Sequence, residues 1–412
     1  MSAGEFVRRV RLAHVGWRTS GLTASVFILA LGAPTAQSAR EGDTRVPPHT
    51  SQKQAARFSG IRAIRVVQSS GARPRFSPDG TRFVFDRKNE DGFWDVYISD
   101  LSGTIVTSLT EGHEGIGQRT NGNAIFHPSG KLVVFASEVP EHFGMRMKGL
   151  SDPGIGLFSN FWATDPKGQR FWRLTNSPIK KSLRDRTPAT AVVNPVFSRD
   201  GSTFVWTERF KGGGWGEWRV MTADFVIRDG VPSLRNERVL LTPRKGNYVT
   251  AMDFIDEDTL LIAGNPDGQH PYGMDQYRYD LRTEKLENLT NTPRFWEEGS
   301  AVAPNGQIVY MTNQDSRYEQ DFTSANWAAQ EREREYYLMN ADGSGKQRLT
   351  YFNDSKAPEY AGQHVIVAAC RFSPDGRYLA ATQGVRGSTD DGAEMRLRII
   401  LIEIEPPMRG AI

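Results

Sequence analysis

Six times along this 412-residue chain an apolar strand runs into a tight turn and restarts as another apolar strand. The copies read Arg75-Phe76-Ser77-Pro78-Asp79-Gly80, Ile125-Phe126-His127-Pro128-Ser129-Gly130, Val196-Phe197-Ser198-Arg199-Asp200-Gly201, Asp253-Phe254-Ile255-Asp256-Glu257-Asp258, Ala301-Val302-Ala303-Pro304-Asn305-Gly306 and Arg371-Phe372-Ser373-Pro374-Asp375-Gly376. A repeat of this size constrains the architecture more than any other feature. The turn has a mechanism: proline presets φ, aspartate bonds nearby backbone, and glycine accepts positive φ. Short β-branched or aromatic runs follow each copy, such as Arg82-Phe83-Val84-Phe85 and Leu132-Val133-Val134-Phe135. These are strand compositions, so each repeat opens with a hairpin.

A second hairpin follows, beginning with runs such as Val96-Tyr97-Ile98-Ser99, Phe161-Trp162-Ala163-Thr164 and Tyr337-Leu338-Met339-Asn340. It closes on a Leu-Thr pair at Leu109-Thr110, Leu174-Thr175, Leu241-Thr242, Leu289-Thr290 and Leu349-Thr350. Four strands per repeat make the blade of a β-propeller. There are six opening hairpins but five closures, because the sixth repeat ends at its third strand, near Arg396–Glu403. The missing outer strand is expected at Ile61–Gln68, which would complete the last blade and close the ring without an exposed edge. The predicted fold is therefore all-β: a six-bladed propeller of four-stranded blades, its last blade completed by the N-terminal strand. The alternative is a seven-bladed ring, with a degenerate blade within 178–191 or 317–335.

This blade pattern resembles the TolB-type, WD-like propeller repeats of bacterial envelope proteins over roughly residues 58–405. The resemblance implies an envelope-associated propeller. The same repeat type also occurs in the propellers of peptidases and polysaccharide lyases. The chain departs from TolB in leaving no room for an α/β domain ahead of the propeller. It also lacks the G-x-S-x-G elbow of the hydrolase domain that oligopeptidases add to theirs.

Four arginines (Arg8, Arg9, Arg11, Arg18) precede an apolar run over Leu22–Leu31 and small residues at Ala36 and Ser38, the pattern of an export signal. The expected organisation is a signal peptide over 1–38, a polar leader over 39–57, the propeller over 58–405 and a tail over 406–412. The expected location is periplasmic or secreted, with no transmembrane span once the signal is removed. The formal charge of +3 equals the excess carried by residues 1–38, so the remainder is neutral and nucleic acid is not an expected partner. Cys370 is the sole cysteine, cannot form an internal disulfide, and is expected to be buried.

On a four-stranded blade, the turns between strands one and two and between three and four share one face. The remaining loops share the other. Here the first face consists mainly of tight turns. The second collects long loops at 138–156, 208–216, 265–275, 312–335 and 382–394, joined by the crossings 175–193 and 351–367. Long loops on a rigid scaffold usually carry binding. His113, His142, His270 and His364 map to this face. The expected ligand-binding residues are Arg119, His142, Arg146, Trp215, His270, Tyr272, Trp296 and His364. In this assignment the aromatics supply contact area, and Arg and His orient a carboxylate or hydroxyl. Trp296 precedes an inner strand and is expected near the channel mouth, whereas Trp162 and Trp218 fall in third strands and are expected in the core.

The leading expectation is a monomeric, non-catalytic scaffold, without a cofactor, that binds a protein or an envelope polymer or glycan. The alternative is a lyase or hydrolase of an acidic glycan, with His142, His270 and His364 as ligands of a divalent metal or as bases. No H-x-x-x-H-type spacing supports the alternative.

Overall fold

The computed structural model describes residues 58, 60–139, 152–178, 184–212, 216–269, 273–318, 333–362, 364–386 and 395–405. Within them every regular element is a β-strand, and no helix is long and apolar enough to cross a membrane. The chain opens with β1 (Ile61–Gln68). Blade one is β2 (Ala72–Phe76), β3 (Arg82–Lys88), β4 (Trp94–Asp100) and β5 (Val106–Ser108). Blade two is β6 (Asn121–Phe126), β7 (Val133–Glu138), β8 (Ser159–Thr164) and β9 (Phe171–Arg173). Blade three is β10 (Ala191–Phe197), β11 (Thr203–Lys211), β12 (Glu217–Arg228) and β13 (Val231–Leu241). Blade four is β14 (Val249–Phe254), β15 (Thr259–Gly264), β16 (Asp275–Asp280) and β17 (Leu286–Asn288). Blade five is β18 (Glu298–Val302), β19 (Ile308–Thr312), β20 (Glu335–Met339) and β21 (Gln347–Arg348). Blade six is β22 (Val365–Phe372), β23 (Tyr378–Arg386), β24 (Met395–Ile404) and, as its outer strand, β1.

All six sheets are four-stranded and antiparallel, giving the six-bladed propeller. The ring closes as expected, with β1 pairing antiparallel to β24 from Ile61↔Ile404 to Gln68↔Ile399. No seventh blade is present among the described residues.

The Leu-Thr closure has a specific role. The Thr hydroxyl accepts a third-strand backbone N–H in four blades: Val96 N to Thr110 Oγ1 at 2.9 Å, Phe161 to Thr175 at 2.8 Å, Gln276 to Thr290 at 2.9 Å and Tyr336 to Thr350 at 2.9 Å. The same hydroxyl donates to the residue fifteen positions earlier: Asp95 at 2.7 Å, Asn160 at 3.0 Å, Asp275 at 3.2 Å and Glu335 at 2.6 Å. These groups are buried, so each staple satisfies polar atoms that would otherwise be costly to desolvate. Blade three departs from the pattern: its outer hairpin is much longer and Thr242 is exposed.

The Pro-Asp-Gly turns form a collar on one face. In each Ser-x-Asp-Gly turn the Ser hydroxyl bonds the Asp carboxylate, at 2.5 Å for Ser77–Asp79 and 2.6 Å for both Ser198–Asp200 and Ser373–Asp375. Successive turns touch around the ring. A Cβ on Gly201 (φ 76°) would lie 2.5 Å from His127 Nε2 and 3.2 Å from Pro128, and one on Gly80 3.4 Å from Pro374. His127, in the turn of blade two, stacks on Phe225 at 4.9 Å and is a packing residue.

Between blades the core is apolar and rich in aromatics. Phe161 of blade two meets Phe204 and Trp206 of blade three at 5.4 and 6.5 Å. Each fully buried side chain of this size stabilises by about 1.5–3 kcal/mol relative to exposure. Trp218 is buried and Trp162 packs against the core, as their third-strand positions predict.

Candidate functional site

The innermost strands run from the loop-rich face toward the turn collar. In every blade the inner strand carries one residue more than the second strand it pairs with: between Ala72 and Arg75, Gly122 and Ile125, Val193 and Val196, Ala251 and Asp253, Glu298 and Ala301, and Val367 and Cys370. Each is a β-bulge, which bends a strand and re-aims a side chain. At four of them the bulged residue takes left-handed φ: Arg73 at 53°, Asn123 at 56°, Asn194 at 51° and Gly299 at 59°. Glycine and asparagine tolerate this region, but arginine seldom occupies it.

The bulge frees backbone N–H groups, which the second strand of the preceding blade accepts. Arg73 N donates to Thr382 Oγ1 at 2.8 Å, Asn123 N to both Asp86 oxygens at 3.0 and 2.9 Å, and Ala251 N to Thr207 Oγ1 at 3.1 Å. The side chains continue the network. Asn123 Nδ2 donates to Pro153 O at 3.1 Å and approaches Asn194 Oδ1 at 3.4 Å, and Asn194 Nδ2 donates to Thr250 Oγ1 at 2.6 Å. A hydrogen-bonded arc therefore runs through blades two, three and four near the loop-side end of the inner strands.

Charged groups complete this end. Arg73 Nη1 lies 3.3 Å from Asp86 Oδ2, and its Nη2 lies 2.9 Å from Asp152 Oδ1. Trp94 donates its indole N–H to the other Asp152 oxygen at 2.8 Å, and its ring lies 5.5 Å beneath the Arg73 guanidinium. In blade five, Trp296 Nε1 donates to Glu298 Oε2 at 3.2 Å, and the Arg334 guanidinium lies 4.0 Å from the Trp296 ring. Burial raises the Glu298 pKa, opposed by the Trp296 hydrogen bond and by the charges of Arg334 and Arg73. Arg73 belongs to blade one and Glu298 to blade five, so the interaction links blades that are not neighbours. Burial likewise pushes Asp86 up to about 6, against the pull of Arg73 and the Asn123 N–H. Two guanidinium groups thus stand beside carboxyl groups raised toward neutrality, backed by two indoles.

The structure separates the residues singled out from sequence. Arg119 forms an ion pair with Glu138 at 2.8 Å, and its guanidinium lies 6.0 Å from the Phe93 ring. Trp296 does precede the fifth inner strand, but it is 1% exposed and its indole offers no face to a ligand. His364 Nε2 bonds the Tyr318 hydroxyl and lies 3.7 Å from Glu333 Oε1, and Glu333 is also clasped by Arg317. His142, Arg146, Trp215, His270 and Tyr272 lie outside the described residues. His113 packs edge-on against Phe171 of the outermost strand of blade two, whereas His364 sits beside an inner strand of blade six. Among the described residues, no group of three or more His, Cys, Asp or Glu side chains is arranged to hold a metal ion. Cys370 is buried as predicted. It donates to Gly299 O at 3.1 Å, and burial pushes its thiol up to about 12.

Arg73, Asp86, Glu298 and Arg334 were not among the sequence candidates. The available signal was an arginine at the third position before the turn aromatic, where blades two and three carry asparagine.

A scan against known protein families returns no match. Among solved structures, the chain is similar to the putative TolB from Agrobacterium tumefaciens at 16% identity and a TM-score of 0.45, covering 82% of this chain and 90% of that one. It is similar to TolB from Acinetobacter baumannii at 13% identity and a TM-score of 0.46, covering 79% and 65%. It is equally similar to an oligogalacturonate lyase from Vibrio parahaemolyticus, at 12% identity and a TM-score of 0.45, covering 84% and 96%. At these levels the likeness concerns the propeller fold.

Proposed function

We propose that this protein is an exported, non-catalytic propeller that binds a protein segment or an envelope polymer on its loop-rich face, over the channel mouth. The observation that carries this reading is Arg73. It is a non-glycine residue at φ 53°, held against two carboxylates and an indole at the loop-side end of its strand. Backbone strain of this kind persists only where surrounding contacts enforce it, and it clusters at sites of function. The opposite face is a collar of self-satisfied turns, which leaves the loop side as the face built for a ligand. Arg119 and His364 come from loops assigned to this face, and the sequence assigns His142, Arg146, Trp215, His270 and Tyr272 to the same face.

The test is affinity capture from envelope extract with the purified chain, beside Arg73→Gln and a Trp215→Ala/His270→Ala double variant. Both variants are expected to lose the bound species while keeping their circular dichroism spectra. Capture of the same species at the same yield by both would remove this reading.

A further inference from the structure

One turn deeper in the channel, the residue two places before each turn differs in character from blade to blade. It is Ile125 in blade two, Val196 in blade three and Ala301 in blade five, but Arg75, Asp253 and Arg371 in blades one, four and six. Arg371 forms an ion pair with Asp253, and its Nη2 donates to Met252 O at 3.1 Å. This contact reaches from blade six to blade four, past the small residues of blade five. Asp253 is then fully engaged. Its Oδ1 accepts the Phe254 N–H at 3.0 Å, and its Oδ2 accepts the Val302 N–H at 2.9 Å as well as Arg371.

Arg75 stands apart. It is 6% exposed, yet among the described residues its guanidinium makes no hydrogen bond or ion pair. It lies in the field of Arg371 and of Asp253. Asp253 belongs to blade four, directly across the six-blade ring from blade one, so these groups meet near the axis. Burial and then Arg371 push the Arg75 pKa down to about 9, which leaves it charged at neutral pH. Asp86 acts on it more weakly and is committed to Arg73 and to the Asn123 N–H. Cys370 is committed to Gly299 O. A nearly buried guanidinium without an acceptor is costly, and the carboxylate across the ring is already saturated by Arg371 and two backbone N–H groups.

We propose that the channel between Arg75 and Arg371 is a binding site for one carboxylate group, held by the guanidinium fork of Arg75 and seconded by Arg371. A monoanion balances the local charge. The planar fork suits a planar carboxylate better than a tetrahedral phosphate dianion, which would overcompensate. The site lies below the channel mouth and stands independently of what the loop-rich face binds.

The experiment is a thermal melt of the purified chain at fixed ionic strength, titrated with sodium acetate, with sodium chloride and phosphate as comparison salts. Acetate is expected to raise the midpoint saturably and chloride is not. The half-saturating acetate concentration is expected to rise about tenfold or more in Arg75→Gln, which loses the bidentate donor. It is expected to fall in Asp253→Asn, which frees Arg371. Should Arg75→Gln fail to fold, Arg75→Lys keeps the charge without the fork and is expected to weaken acetate several-fold. No saturable rise in the native chain, tighter binding of phosphate than acetate, or an unchanged acetate response in the foldable Arg75 variant would each overturn the proposal.

Discussion

Asp86 binds two blades together through Arg73 and Asn123: its Oδ2 lies 3.3 Å from Arg73 Nη1, and both its oxygens accept the Asn123 backbone N–H. The first contact is inside blade one and the second crosses to blade two. Asp86→Ala leaves that buried N–H without an acceptor and Arg73 with Asp152 alone. The expected cost is about 2–4 kcal/mol, read from chemical denaturation. Unchanged stability would show that the bulge does not depend on this carboxylate.

The Thr staples make a separable prediction. Thr290→Ala removes the acceptor for the Gln276 N–H and a donor to Asp275. It is expected to cost about 1–3 kcal/mol. Thr242→Ala, in the blade without a staple, is expected to change stability by less than about 0.5 kcal/mol. Equal effects in the two variants would contradict the assignment.

Glu297 gives the chain a pH dependence. It is wholly buried, and burial raises its carboxyl to about 8, opposed by hydrogen bonds from Thr290 and Thr292. A folded-state pKa above the unfolded value means the folded chain holds the proton more tightly. This contribution is therefore complete below pH of about 4.5 and is lost as pH rises through about 8. Glu297→Gln is expected to be more stable than the native chain at pH 9, with the difference closing toward pH 5. A difference constant across that range would contradict it.

Ring closure can be tested by truncation. Removing residues up to 57 is expected to leave the melting midpoint in place. Removing β1 as well exposes the β24 edge, together with the Val67 and Ile64 contacts, and is expected to lower the midpoint sharply and promote association. A truncated chain as stable as the native one would mean that β1 is not a structural part of blade six.

Much of the fold was legible because its signals are local. Pro78-Asp79-Gly80 and its counterparts mark turns within a few residues, and the missing sixth Leu-Thr pair pointed to Ile61–Gln68 as the closing strand. The fifteen-residue spacing between Asp95 and Thr110, repeated in three other blades, was also present in the sequence. The channel was less legible. Arg73 and Asp152 are separated by 79 residues and meet only after two blades pack. The bulge that aims Arg73 arises from strand pairing, which leaves no fixed composition. The position of Trp296 just before an inner strand suggested a place at the channel mouth, but the structure buries it with Glu297 and Glu298, where Thr292 bonds Glu297 and Arg334 covers the indole.

The most direct measurement of the central claim is site-specific photocrosslinking in envelope extract. The photoreactive residue would stand at Asp267 or Arg294 on the loop side, and at Lys131 or Thr81 on the turn collar, all of them exposed. The account predicts one discrete crosslinked species from Asp267 and Arg294, none from Lys131 or Thr81, and loss of the species when Arg73→Gln is added. Crosslinks from the turn collar alone, or equal crosslinks from both faces that ignore Arg73, would contradict it.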